Sequence, residues 1–273
     1  MFWYPLRLLE SAGLSGLWLT LIVYTAALVA FTKPAWRGLA HWRAQPGQLA
    51  LLALAAGWCN AAFILAVLEG TVVRVLLLFY LSPIWTVFLG WFVLGERPTG
   101  RGWLAFSIAM AGALIMLWSE ELGVPWPKGK ADWLAVSSGM AFALANVLVR
   151  RLQSVPVITK TVTAWVGAVF VALVWIALAA APVPQVAGGT VIGAMALGLF
   201  GMVAMTFSVQ YGVTHMPVHR SAVILLFELV AGAVSAQLLT DEKVLAQEWV
   251  GGLMVLLAAW FAASRRTDTD GRG

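Results

Sequence analysis

One carboxylate interrupts the apolar segment ILLFELVAGAV, which covers residues 224–234. If this segment lies in a membrane, a charge near its middle costs at least about 2.5–3.5 kcal/mol, so Glu228 must be protonated, paired or hydrated. Ser221, Gly232 and Ser235 lie −7, +4 and +7 residues away and share its helix face. A small, partly polar face of this kind can line a cavity. We therefore predict that Glu228 exchanges a proton or binds a substrate amine. The alternative is a protonated carboxyl group that hydrogen-bonds a neighbouring helix.

Other polar and aromatic side chains lie within apolar segments and are candidates for binding a solute. They are Asn60, Asn146, Gln210, Tyr80 and Trp85. Pro83 lies between the two aromatic residues, and it removes the backbone hydrogen bond to Phe79, which predicts a kink. For the amides, the alternative is ordinary helix packing at about 0.6 kcal/mol per hydrogen bond. For the aromatic residues, the alternative is packing in the core.

Two arginines, Arg74 and Arg220, each lie near the start of an apolar segment and are candidate gates or attractors of anions. The alternative is that their side chains reach the lipid headgroups, and we favour it for Arg220. Glu69, five residues before Arg74, could neutralise that arginine. Glu96 and Glu242 each follow one helix and precede the next, where a carboxylate can satisfy a positive helix N-terminus.

Composition places the whole chain in a membrane. The sequence is 62% hydrophobic and 11% charged, with a mean hydropathy of +0.90, whereas a soluble domain is about 45–50% apolar and 25% charged. A helix needs about 20 largely apolar residues to span a bilayer. We predict nine such spans, at 11–31, 48–68, 72–94, 102–118, 131–152, 158–181, 190–214, 217–240 and 245–263. They are too long and too continuously apolar for the alternating strands of a membrane barrel, so the fold is predicted to be all-α.

The distribution of basic residues predicts how the chain is oriented. Twelve of the 17 lysine and arginine residues fall in alternate connections or in the tail at 264–273, and four fall on the opposite side. The richer side is cytoplasmic by the positive-inside rule. This predicts a multi-pass protein of the cytoplasmic membrane with an external N-terminus and a cytoplasmic tail. The formal net charge of +5 then reflects this bias rather than nucleic-acid binding.

An internal repeat relates the two halves of the chain. A shift of 146 residues superposes the first four spans on the last four and aligns Arg74 with Arg220, Glu96 with Glu242 and Trp103 with Trp249. Four-helix groups that enter from opposite sides are what an inverted repeat requires. The fifth span has no partner, because its equivalent would begin before residue 1. We therefore predict five-helix halves, 1–118 and 131–263, in which the first helix is missing apart from a stub at residues 1–6.

Several of these residues form a pattern that resembles a known family. Tyr80-Leu81-Ser82-Pro83-Ile84-Trp85, followed by Leu94-Gly95-Glu96-Arg97, resembles the fourth and fifth helices of EamA-type transporters of the drug/metabolite transporter superfamily. Phe227-Glu228 and Leu239-Thr240-Asp241-Glu242 take the corresponding places in the second half, with Leu229 where that family usually has proline. The resemblance implies ten helices in two inverted halves, a central cavity and secondary transport by alternating access. It also implies a small metabolite or amino acid as substrate, often exported.

Two other functions are compatible with parts of the sequence. Gly13-Leu14-Ser15-Gly16 has the GxSG pattern of intramembrane serine proteases, but every histidine falls on the predicted cytoplasmic side, far from Ser15. His215 and His219 lack the glutamate of a helical HExxH zinc motif, so we predict no metal or other cofactor and no enzyme. A lipid or carrier-lipid flippase of the same superfamily is the second alternative. The predicted partners are a small-molecule substrate, the lipid bilayer and protons; the oligomeric state stays open.

Overall fold

The structure is a computed structural model that describes residues 3–14, 16–31, 38–118, 126–239 and 245–263. The predicted features at Ser15, at Glu242 and in the tail 264–273 lie outside these residues.

The described part of the chain is helical, as its composition predicts. Its helices are α1 Trp3–Ser11, α2 Gly16–Ala30, α3 Leu39–Ala44, α4 Pro46–Glu69, α5 Val72–Phe79, α6 Ser82–Leu89, α7 Gly100–Leu117, α8 Lys130–Arg151, α9 Val157–Leu178, α10 Gly188–Ala196, α11 Val203–His215, α12 Val218–Leu225, α13 Phe227–Leu239 and α14 Ala246–Ala263. Two π-helical segments occur as well, Gly90–Leu94 after α6 and Leu197–Met202 between α10 and α11.

Among the described residues, seven helical segments are long and apolar enough to cross a membrane, and α2 and α14 are shorter apolar helices. Together they correspond to the nine predicted spans. Below, the third span is Val72–Leu94, the seventh is Gly188–His215 and the eighth is Val218–Leu239. The all-α membrane fold is therefore confirmed.

Local sequence explains where several helices begin. Pro46 occupies the first turn of α4, while Pro156 and Pro217 immediately precede α9 and α12. Proline suits these positions because the first N–H groups of a helix have no intrahelical acceptor. Thr99 caps α7, since its hydroxyl accepts a hydrogen bond from Gly102 N at 3.2 Å.

The third and eighth spans are both interrupted near their centres, at positions that the repeat makes equivalent. The third span breaks at Tyr80, between α5 and α6, and Pro83 lies in the first turn after the break. The eighth span breaks at Leu226, between α12 and α13, 146 residues further on. The kink predicted from Pro83 is therefore present. Its counterpart forms without a proline, and the Leu229 N–H instead donates to Leu226 O at 3.1 Å.

A second pair of equivalent elements, α7 and α14, pack directly against each other. Gly112 of α7 and Gly251 of α14 meet backbone to backbone, because a Cβ on Gly112 would lie 2.6 Å from Gly251 O. The buried alanines Ala105 and Ala258 lie on the same helices, and each is equivalent to the glycine of the other helix under the 146-residue shift. Packing of two equivalent helices against each other is what an approximate twofold axis between the halves would produce.

Helix α8 follows the first four-helix group in sequence but packs against members of that group. Its residues Ala135 and Val136 share an apolar cluster with Ala66 of α4 and Leu78 of α5. Its Gly139 approaches the third-span kink so closely that a Cβ there would lie 2.8 Å from Phe79 O. Helix α8 therefore ties the two halves together along the third span.

Candidate functional site

Glu228 lies where the two kinked spans meet. It occupies the first turn of α13, directly after the break in the eighth span. Tyr80, at the break in the third span, packs against the apolar cluster that contains Leu226 and Leu229 of the eighth span. The two interruptions therefore meet at one apolar cluster, and Glu228 lies between two of its members in sequence.

Glu228 and its equivalent residue in the first half differ in how exposed they are. Its equivalent in the first half, 146 residues earlier, is Ser82. Ser82 is buried, and Gly139 of α8 packs over it, whereas Glu228 is exposed at the surface of the chain. An exposed carboxyl group in the middle of a span faces either lipid, where it must be neutral, or a hydrated cavity, where it can exchange a proton.

Two of the predicted binding amides are buried and incompletely hydrogen-bonded. Asn146 of α8 is 7% exposed and Gln210 of α11 is 8% exposed. Asn146 Nδ2 and Gln210 Oε1 have no hydrogen-bond partner within the described structure. Arg150 Nη1 donates to Thr214 O at 2.8 Å and so joins α8 to α11. Asn146 lies one helical turn before Arg150, and Gln210 lies one helical turn before Thr214. The two amides therefore lie on the helix faces that meet at that contact.

The other predicted binding residues have different surroundings. Asn60 of α4 uses both ends of its amide: Oδ1 accepts from the Tyr24 hydroxyl at 3.0 Å, and Nδ2 donates to Ala56 O at 2.9 Å. This arrangement is the helix-packing alternative stated above. Trp85 is half-buried on α6, one turn beyond the third-span kink.

Arg74 is held by a carboxylate other than the one predicted. Its Nε lies 2.9 Å from Asp132 Oδ2, in the first turn of α8, and its Nη2 donates to Trp126 O at 2.7 Å. Glu69 instead accepts from Lys130 Nζ at 2.8 Å. The expectation that Glu69 neutralises Arg74 is corrected because α8 begins beside α5 and places Asp132 within reach. Sequence spacing alone could not show that packing.

A second ion pair joins the third span and α8 at their opposite ends. Glu96, just beyond the third span, accepts from Arg150 Nε at 2.9 Å through Oε1. Its Oε2 accepts from Val218 N, at the start of α12, at 2.8 Å. Glu96 thus satisfies a helix N-terminus, as predicted, but that of α12 rather than of the next helix. Arg220 lies in the first turn of α12 and is half-buried.

Lys160 was not singled out by the sequence analysis, although it is fully buried. Its ammonium group donates to Val149 O at 3.0 Å, to Leu152 O at 3.3 Å and to the Thr214 hydroxyl at 2.7 Å. The two carbonyl groups belong to the C-terminal end of α8, where a positive charge is favourable. The signal available in the sequence was a lysine four residues after Pro156, inside the start of a predicted span.

An apolar chain with two kinked, symmetry-related spans at its centre has the architecture of a secondary transporter with inverted repeats. The chain belongs to the EamA-like transporter family, which matches residues 8–118 and 129–264. The predicted resemblance is thereby confirmed, as are the duplication of the domain and the prediction of a multi-pass membrane protein of a transporter family rather than of an enzyme family. Within the described residues no cluster of three or more histidine, cysteine or acidic side chains could hold a metal ion.

Individual relatives are distant. The proteins RarD of Salmonella typhi and of Salmonella typhimurium (strain LT2) are each 26% identical to this chain over 132 residues. That alignment covers 47% of this chain and 42% of each relative, so the chain matches less than half of their length. A solved crystal structure superposes with a TM-score of 0.75 at 17% identity and covers 96% of this chain and 93% of its own. This similarity shows the fold alone.

Proposed function

We propose that this protein is a secondary transporter that exports a small metabolite or amino acid across the cytoplasmic membrane by alternating access. In this proposal Glu228 carries the coupling proton or binds a substrate amine. Family membership supports the general activity. The substrate, the direction and the role of Glu228 are our inference, and the lipid flippase of the same superfamily stays an untested alternative.

The observation that carries the proposal is the position of Glu228. A carboxylate in the middle of a membrane-spanning segment is costly and is usually retained because it functions. Glu228 is exposed beside the kink of its own span, and this kink packs against Tyr80 at the kink of the other span. Kinked spans at a repeat interface are where transporters of this architecture place their substrates.

The remaining predicted binding residues differ in what they could contribute to the proposed site. Asn146 and Gln210 each keep one buried hydrogen-bonding atom without a partner, and such atoms usually have a functional or hydration reason. We propose that they bind polar atoms of the solute when the helices part. Trp85 would contribute an apolar surface near the third-span kink. Asn60 already uses both the oxygen and the nitrogen of its amide in hydrogen bonds within the protein.

The proposed gating roles of Arg74 and Arg220 carry different weight. The Arg74 side chain is bound to Asp132, so it could act as a gate only if that pair breaks. Arg220 lies at a helix start, where the reach of its side chain to lipid headgroups remains our favoured interpretation.

A solute screen followed by transport assays tests the proposal. The purified protein is first screened by thermal shift against amino acids and small metabolites. A stabilising compound is then followed in proteoliposomes at acidic and at alkaline pH, with and without a pH gradient. We expect transport to depend on pH in the unsubstituted protein. We expect Glu228→Gln to remove that dependence and most of the flux, and Glu228→Asp to retain part of both.

The control substitution is Glu248→Gln. Glu248 also lies in the first turn of a span, but its carboxylate accepts from Leu245 N at 2.6 Å and caps α14. We expect this variant to transport as the unsubstituted protein does. If Glu228→Gln leaves transport and its pH dependence unchanged, Glu228 carries neither a proton nor a substrate charge.

A further inference from the structure

Glu96 connects the end of the third span to two elements of the second half. One carboxylate oxygen accepts from Arg150, the penultimate residue of α8, and the other accepts from the backbone N–H of Val218 in α12. The Glu96 and Arg150 side chains are 20% and 24% exposed. Because both oxygens are used, moving the end of the third span away from α8 and α12 on this side must break both hydrogen bonds.

The groups that receive Glu96 are themselves fixed. Arg150 also donates to Thr214 O at the end of α11. The fully buried Lys160 joins the Thr214 hydroxyl to the last carbonyl groups of α8. Arg150 is therefore held in place from two sides, and the movable partner of the ion pair is Glu96.

The backbone before Glu96 is built to change direction. The third span ends in the π-helical segment Gly90–Leu94, followed by Gly95 at φ +70°. That φ lies in the left-handed region, which glycine adopts at no steric cost, and π-helical turns often mark functional positions. Gly90 also packs directly on the Val218 side chain, since a Cβ on Gly90 would overlap Val218 Cγ2. Movement of this segment would uncover Val218.

We propose that Glu96 is a latch that closes this side of the molecule, and that the latch must release for this side to open. The inference rests on the proposed transport function, because only alternating access requires such an opening. The latch differs from Glu228, since its carboxylate binds within the protein and contacts no solute in this proposal. Lys160 and Thr214 act as positioning residues that hold Arg150.

Cysteine accessibility tests the latch without a substrate. Val218 is 1% exposed, and Val218→Cys keeps the backbone N–H that Glu96 binds. In a Cys59→Ser background, this cysteine reports opening by its rate of reaction with N-ethylmaleimide in detergent. We expect Glu96→Gln and Arg150→Gln to raise the rate about tenfold or more, as the loss of a charge-assisted hydrogen bond implies.

Two controls separate latch release from general loosening. Glu69→Gln removes the same charge from the exposed pair with Lys130 and should leave the rate unchanged. A second reporter, Ala168→Cys, lies in the apolar cluster of α2, α9 and α10 away from the latch and should stay unreactive in Glu96→Gln. An equal rise at both reporters would mean that the protein is destabilised as a whole and would overturn the proposal.

The remaining outcomes are also decisive. If Glu96→Gln does not yield a monodisperse protein, Glu96→Asp keeps the charge with a shorter reach and should give an intermediate labelling rate. A folded Glu96→Gln or Glu96→Asp protein whose Val218→Cys reporter reacts no faster contradicts the latch. This assay needs no transported solute. A Glu228→Gln variant that transports as the unsubstituted protein does, together with a Val218→Cys reporter that reacts faster in Glu96→Gln, would reject the Glu228 site and keep the latch.

Discussion

At the scale of single residues, burial separates two ion pairs that lie at the same end of α8. In the Arg74–Asp132 pair the side chains are 14% and 9% exposed, whereas in the Lys130–Glu69 pair they are 73% and 37% exposed. Removing one member of a buried pair leaves an uncompensated charge away from water. Removing one member of an exposed pair leaves a charge that water can solvate.

Asp132→Asn should therefore destabilise the protein far more than Glu69→Gln. We expect Asp132→Asn to lower the free energy of unfolding by about 3 kcal/mol, because the substitution removes a carboxylate from a buried contact with the Arg74 guanidinium. Glu69→Gln should change the same quantity by less than about 1 kcal/mol. The measurement is the midpoint of thermal unfolding in detergent, with both variants made in the same background. Equal midpoints for the two variants would show that Arg74 is already hydrated or neutralised elsewhere.

The residue scale also shows where sequence reasoning fails. Glu228 could be singled out because a lone acid in an apolar segment is visible in the sequence itself. The partner of Arg74 could not, since Asp132 is 58 residues away and becomes adjacent only when α8 packs beside α5. The same holds for Glu96 and Val218, which are 122 residues apart. Long-range polar contacts depend on helix packing, and hydropathy does not encode it.

At the scale of elements, the close packing of α8 against the third-span kink depends on one glycine, Gly139. Pro83 cannot donate to Phe79 O, so this carbonyl is free to face the neighbouring helix. Gly139 lets α8 approach that carbonyl directly. Close backbone contact through small residues is a common way for membrane helices to associate.

Gly139→Ala is accordingly expected to push α8 away from the kink. The new Cβ would lie 2.8 Å from Phe79 O, which is a backbone atom with little freedom to move. We expect a loss of about 1–3 kcal/mol in the free energy of unfolding, as for other overpacked sites. Gly47→Ala, at a helical position with no neighbour within 4 Å, is the control and should not destabilise. A Gly139→Ala protein as stable as the Gly47→Ala protein would mean that the two helices can separate freely.

The elements themselves were largely predictable, because length and apolarity determine where a membrane span can lie. The fifth span was expected at 131–152 and is observed at Lys130–Arg151. The Pro83 kink followed from one residue type. The break at Leu226 could not be predicted from residue type, since the eighth span has no proline there. Only the repeat places this break, 146 residues after Tyr80.

At the scale of the whole molecule, the inverted repeat explains both what pairs and what differs between the halves. Helices α7 and α14 are equivalent elements of the two halves, and they pack directly against each other. Helix α8 covers Ser82 in the first half, while the equivalent Glu228 is exposed. The second half therefore has an exposed acid at a position where the first half has a buried serine. This asymmetry gives the two halves different chemistry on the same backbone plan.

The orientation of this plan in the membrane is the last prediction. Lys128 and Ser154 are both exposed and lie just beyond opposite ends of α8, so a spanning α8 places them on opposite sides. The excess of basic residues on the Ser154 side predicts that this side is cytoplasmic. In a Cys59→Ser background, Lys128→Cys should react with a membrane-impermeant maleimide in intact cells, and Ser154→Cys should react only after permeabilisation. The reverse pattern would invert the proposed topology and place the Glu96 latch on the external side, while labelling of both residues in intact cells would show that α8 does not span the membrane.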